Sequence, residues 1–147
     1  MKKILIIFFF LASCGYQPLY IKNEEFIFKK INLIGDKRIN RKIISSSTIK
    51  KNTQSGSNNE LILETNKNII TTSKNSKGQP ATFKSLIEVK LIIKEDDKIL
   101  KQKIFSESFD YNNIENKYDL SVYQTDVEDN LIDKIVEDLI IYLNIKW

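Results

Sequence analysis

Between Thr82 and Lys94 the segment "TFKSLIEVKLIIK" alternates: Phe83, Ile87, Val89, Leu91 and Ile93 point one way, and Lys84, Glu88, Lys90 and Lys94 the other. A repeat of two places one set on each face of a pleated strand, so the segment predicts a strand with one face in the core and one in water. "EDDK" then turns the chain, and "ILKQKIFSESFDY" returns as an antiparallel partner. Its rougher alternation predicts a bulge or an edge position. Upstream, "ELILETNKNIITT" reads as another strand, bounded by the polar stretches "NTQSGSNN" and "SKNSKGQP". Nearer the N-terminus, "FIFKKINLIG" puts Ile27, Ile31 and Leu33 on one face and stops at Gly35, as one further strand.

The period lengthens twice. After Gly35, Asp36 is placed to cap a helix over Lys37–Lys51, with a thin apolar stripe of Ile39, Ile43 and Ile49 and a run of serines, Ser45–Ser47, of poor helix propensity. At the C-terminal end Val127, Leu131, Ile135, Leu139 and Leu143 recur every four residues, widened by Ile132, Val136 and Ile140. That is a broad stripe of an amphipathic helix, with Glu128, Asp129, Asp133, Lys134, Glu137 and Asp138 expected on the far side. Two capping boxes compete for its start, Ser121 with Gln124 and Thr125 with Glu128, and place it near Ser121. An acidic polar face is ill suited to an anionic membrane, so the stripe is expected to pack on the chain's own sheet. The order β-α-β-β-β-α predicts an α+β domain over residues 26–147, with two helices on one face of a four-stranded, largely antiparallel sheet.

The first residues follow another logic. Met1-Lys2-Lys3 is a short positive region, and Ile4–Ala12 ("ILIIFFFLA") is an unbroken apolar run. A spanning helix needs about 20 such residues, so this run has the proportions of a secretory signal. The small residues Ala12 and Ser13, behind Leu11, lead directly into Cys14, the only cysteine in the chain. This is the pattern of a bacterial lipobox: cleavage before Cys14 and acylation of its thiol. Residues 1–13 are expected to be the signal peptide and residues 14–25 a lipidated tether, with Pro18 opposing helix before it. Two acyl chains suffice for stable anchoring. Gly15 after the cysteine is compatible with the outer membrane, on its periplasmic side.

Composition then narrows the chemistry. Removing Lys2 and Lys3 from the 23 basic residues leaves 21 against 19 acids, a balance of +2, so the high isoelectric point is no sign of nucleic-acid binding. The only arginines are Arg38 and Arg41, which weakens bidentate phosphate recognition. There is no histidine and, with Cys14 acylated, no free thiol, so Ser-His-Asp and Cys-His catalysis and the usual zinc ligands are excluded. No catalytic residue, metal or cofactor is expected. The carboxylates that remain as a conceivable hydrolytic pair, Asp96 with Asp97 or Glu107 with Asp110, fall in a turn or on a strand. A small-ligand-binding lipoprotein would need a larger chain with a deep cleft.

Cys14 followed by "GYQPLY", then this order of elements, resembles LptE, the lipopolysaccharide-assembly lipoprotein of the Gram-negative outer membrane, and its alphaproteobacterial branch most. The residues that carry the resemblance are Cys14, Gly15, Tyr16, Pro18, Leu19 and Tyr20, then the hairpin Phe83–Phe109, "FDYNN" at Phe109–Asn113, and the helical block Leu120–Leu143. Two departures stand out: Phe83 occupies the place where an arginine is expected, with Lys84 next, and the last helix is rich in Ile and Asp rather than Ala and Arg. The resemblance implies a plug within an LptD-like outer-membrane β-barrel that assists the barrel's assembly and binds lipopolysaccharide during its insertion into the outer leaflet. Lipid A is anionic, so Lys74 and Lys77 in the turn are the first ligand candidates and Lys84 and Lys90 the second. Each is equally a solvated lysine that keeps a sheet soluble. The alternative is another outer-membrane lipoprotein adaptor of β-barrel assembly.

Overall fold

The structure is a computed structural model that describes residues 25–54 and 58–145; the signal segment, Cys14 and the tether up to residue 24 lie outside the described residues. The elements are β1 (Phe26–Phe28), β2 (Lys30–Gly35), α1 (Lys37–Ser46), β3 (Ile49–Lys51), β4 (Asn59–Lys74), β5 (Pro80–Glu95), β6 (Lys98–Asn112) and α2 (Lys117–Asn144). Four strands form one sheet in the order β2-β4-β5-β6. β4, β5 and β6 make an antiparallel meander, and β2 joins β4 in parallel through the α1 crossover. Both helices pack on the same face, as the patterning predicts.

The alternation of β5 sets the layers. Ile87, Val89, Leu91 and Ile93 are fully or almost fully buried, and opposite them on β4 lie Leu61 and Leu63. From α2 come Val127, Leu131, Ile132, Ile135, Val136, Leu139 and Leu143, and from α1 Ile39 and Ile43. Burying such side chains contributes about 1.5–3 kcal/mol each, which is why the helices lie here.

Three boundaries differ from the sequence expectation. The first strand is broken at Lys29: β1 pairs not with the main sheet but with β3, in parallel, Phe26 opposite Ile49. The break inverts the facing of its first half, so Phe28 is buried whereas Ile27 is 42 % exposed. Helix α1 ends at Ser46, and Ile49, expected on the helix, is a buried strand residue. Pairing with β1 satisfies backbone groups that the serine run would hold poorly in a helix. Helix α2 begins at Lys117, a turn earlier than either capping box: Asn116 Oδ1 accepts from the backbone N–H groups of Tyr118 (2.9 Å) and Asp119 (3.4 Å). Asn116 with acidic Asp119 in the first turn is the signal that located it.

The corner between β2 and α1 is tight. Asp36 caps α1 as expected, accepting from Arg38 N at 2.8 Å and Ile39 N at 3.0 Å. The bond from Ile39, with that from Arg38 and the charges of Lys67 and Arg38, holds the Asp36 carboxyl below its ordinary pKa against the opposing effect of burial. Gly35 has φ +93°, and a Cβ there would stand 1.9 Å from the Thr65 carbonyl oxygen. Only glycine allows β2 to turn this close to β4.

Candidate functional site

The sheet outruns its helices. β4 and β5 are sixteen residues each, and their far end, around the turn Asn75–Gln79, projects past the core. Among the described residues, Lys74 and Lys77 sit at this tip, both exposed. Asn75 organises the turn: its Oδ1 accepts from Lys77 N (2.9 Å) and Gln79 N (3.0 Å), and Gly78 takes φ +77°. The two lysines are thus carried on an ordered loop rather than on a loose one.

Lys84 and Lys90 lie on the outer face of β5, where alternation placed them. Lys84 is 3.5 Å from Asp110 on β6, and Lys90 is 3.2 Å from Glu64 on β4. Six residues of strand separate them by about 20 Å. The four candidate lysines therefore divide: Lys74, Lys77 and Lys84 share the distal end, whereas Lys90 belongs to the middle of the sheet.

Apolar surface accompanies the distal lysines. Ile69 and Ile70, on opposite faces of β4, are 45 % and 50 % exposed. On the helix side, Phe83 stacks at 5.7 Å on Tyr111, which meets Tyr123 of α2 edge-on at 5.7 Å. Tyr118 and Val122 in the first turns of α2 are exposed beside them in sequence. Phe83, the residue found where the resemblance leads one to expect arginine, is thus part of an aromatic group. The pattern of the strand predicted its inward direction but not its ring partners, which come from β6 and α2.

A groove of about 510 Å³ runs between β6 and the flank of α2, floored by Phe109, Tyr123, Val127 and Leu131. Asp126, Asp133 and Glu137 line it, with Lys134 the single cation. The charge of this groove is wrong for an anionic lipid.

The acidic residues expected on the far side of α2 are partly turned inward, which is a correction. Glu128 is only 7 % exposed. Its Oε2 lies 2.9 Å from Lys67 of β4, and its Oε1 is 2.6 Å from Arg38 of α1, close in charge though not aligned as a hydrogen bond. Arg38 also reaches Asp129 at 2.9 Å, and Lys42 pairs with Asp129 and Asp133, each at 3.1 Å. Burial pushes the Lys42 amine down, but its hydrogen bonds to Asp133 and Asp129 outweigh this and raise its pKa. This network seals α1 to α2. It accounts for Arg38 and gives Glu128, Asp129 and Asp133 a structural role between the helices.

Among the described residues no group of histidine, cysteine or acidic side chains is arranged to hold a metal ion, and no helix is long and apolar enough to cross a membrane. Glu107 and Asp110 fall on opposite faces of β6, and Asp96 and Asp97 form the β5–β6 turn with φ of 45° and 66°.

No protein-family model matches the chain, and no curated protein matches it by sequence. Solved structures do share the fold. The rare lipoprotein B from Shewanella oneidensis superposes with a TM-score of 0.55 at 14 % identity, over 77 % of this chain and 91 % of that one. The uncharacterized lipoprotein B from Nitrosomonas europaea gives 0.59 at 10 % identity, over 84 % and 86 %. A putative lipoprotein from Caulobacter crescentus CB15 gives 0.51 at 15 % identity, over 79 % and 92 %. At these identities the likeness is one of fold: over about four fifths of its length the chain adopts a fold found in bacterial lipoproteins.

Proposed function

We propose that the chain is a lipid-anchored subunit of the outer-membrane lipopolysaccharide translocon, an LptE-type plug within an LptD-like β-barrel. The observation that carries the reading is the coincidence of a lipobox at Cys14 with a fold shared over most of the length of several bacterial lipoproteins. The surface is compatible with it. Barrel interiors are polar, and the outer face of this sheet pairs its charges strand to strand, Lys90 with Glu64 and Lys84 with Asp110.

Within this reading the distal hairpin is the ligand end. An amphiphile with anionic headgroups needs cations beside apolar surface, and Lys74, Lys77 and Lys84 stand beside Ile69, Ile70 and Phe83. Lys90 is the weakest of the four candidates because it is distant from that surface.

A tagged pull-down of the full lipoprotein from detergent-solubilised outer membranes tests the first claim. One large β-barrel recovered in near-equal amount at high salt supports the plug. Recovery alone, or with many unrelated barrels, replaces it with the general adaptor of barrel assembly. Binding of purified lipopolysaccharide by Lys74→Glu/Lys77→Glu tests the second: affinity should fall about tenfold, as loss of about 1.4 kcal/mol implies. Unchanged affinity would remove the hairpin tip from the ligand site.

A further inference from the structure

The seam between β6 and α2 is closed at one end and open at the other. At the closed end the Tyr142 hydroxyl donates to the Gln102 carbonyl at 3.4 Å, and the Lys101 ammonium donates to the Ile145 carbonyl at 2.9 Å. Lys101 and Lys103 also stand over the Tyr142 ring, 5.1 and 5.0 Å from its centroid, so the cations of this half are committed to the chain itself. The other half is the groove floored by Phe109 and Tyr123, which remain 46 % and 38 % exposed. Its rim is acidic. Asp133 is shared with Lys42, but among the described residues neither Asp126 nor Glu137 has a basic partner, and Lys134 is the one cation of the rim. Glu107, on the same face of β6 as Phe109, adds a further carboxylate to this half.

We propose that this groove docks a short basic segment of the barrel partner, with lysine or arginine heads at Asp126 and Glu137 and apolar side-chain surface over Phe109 and Tyr123. The inference rests on the translocon reading, in which the flank of the plug meets the barrel. An aromatic floor under unmatched carboxylates suits a cation on an apolar stem, whose methylenes cover the rings while its head meets the rim. A volume of about 510 Å³ takes a few side chains rather than a folded domain. The chain's own remaining segments do not fit. The tether, residues 15–24, holds one lysine, Lys22, and one acid, Glu24, and it joins the domain at β1, ahead of β2 at the opposite edge of the sheet from β6. Residues 55–57 are Ser-Gly-Ser and carry no charge. Lys146 follows α2 at the closed end of the seam, where Lys101 holds the Ile145 carbonyl. Charges on an interface rim govern orientation and docking rate more than raw affinity, so the groove fixes which way the plug turns within its barrel.

Competition during assembly tests it on the full lipoprotein. A tagged variant is co-expressed with untagged parent, and the barrel recovered with the tag is compared with that taken by tagged parent. Asp126→Lys/Glu137→Lys should recover about a tenth as much barrel, Asp126→Asn/Glu137→Gln about a third, and Lys134→Glu no less than the parent. Glu95→Lys/Glu115→Lys makes the same charge change away from the groove and should recover as much as the parent. Circular dichroism and matched tag levels separate loss of docking from loss of fold. A photo-crosslinker at Asn130, which lines the groove, should join the barrel at a segment containing lysine or arginine. If tagged parent recovers the barrel and the charge-reversed variant recovers as much, the docking is overturned while the translocon reading stands. Equal loss in the Glu95→Lys/Glu115→Lys control also overturns it, because net charge alone then explains the effect. So does a crosslink from Asn130 to an acidic barrel segment, to a second copy, or to this chain's own residues. If the parent itself recovers no barrel, the translocon reading fails first and the inference falls with it.

Discussion

The same two strands, β4 and β5, live in two environments. Near Leu61, Leu63, Leu91 and Ile93 they lie under two helices with almost no exposure; near Ile69, Ile70 and the Asn75 turn they project into solvent with large aliphatic side chains uncovered. Strand propensity is similar in both halves, so propensity does not set their stability. Cover does: one half gains the burial of a core, and the other holds its shape mainly through cross-strand pairing and a well-made turn. A chain that needed only to fold could have stopped the hairpin where the helices stop.

The contrast can be broken most forcefully in the core. Leu131→Ala removes a buried side chain from the covered half and should cost about 2–5 kcal/mol, whereas Ile70→Ala at the distal end should stay within about 0.5 kcal/mol; paired urea titrations measure both. The two glycines with positive φ give the next comparison. Gly35→Ala drives a Cβ into the Thr65 carbonyl and should cost about 3 kcal/mol, while Gly78→Ala meets no atom within 4 Å and pays only the left-handed backbone, about 1 kcal/mol.

Ion pairs sharpen it further. Glu128→Gln leaves Arg38 and Lys67 without their shared carboxylate; because both cations are partly exposed, about 2 kcal/mol is expected, below the range for a fully buried pair. Asp110→Asn, which breaks the exposed distal pair with Lys84, should cost about 0–1 kcal/mol and less in high salt. The smallest effect is a pH dependence. The folded-state pKa of Asp36 is depressed, so its contribution is present above the ordinary value of 3.8 and is lost as pH falls through the lower folded value. Asp36→Asn keeps the cap and loses only its charge, so it should destabilise by about 0.3 kcal/mol at pH 7, with a gap from the parent that narrows in acid, as thermal melts across pH 2–7 would show.

The covered half was the legible one. In β5 the face of each residue from Phe83 to Lys94 follows from alternation alone, and the α2 stripe follows from its spacing of four. What alternation could not reveal were features fixed by partners distant in sequence. Ile49 becomes a strand residue because Phe26 lies beside it, and Glu128 turns inward because Arg38 and Lys67 await it. Leu33 faces inward opposite Leu63 as its period requires, yet remains 43 % exposed because β2 is an edge strand at the margin of the helical layer. Of the candidate site, the lysines were readable as charges at a turn; the aromatic group that stands near them was not, since Phe83, Tyr111 and Tyr123 come from three elements.

Helix α2 follows the whole sheet in sequence and contributes more core residues than any other described element. Synthesis from the N-terminus therefore produces the whole sheet before its lid. Until the segment ending at Leu143 has emerged, Leu61, Leu63, Val89 and Leu91 have no cover beyond α1, and the nascent chain has little reason to close. Order of synthesis thus leaves the sheet without its main cover until α2 has been made.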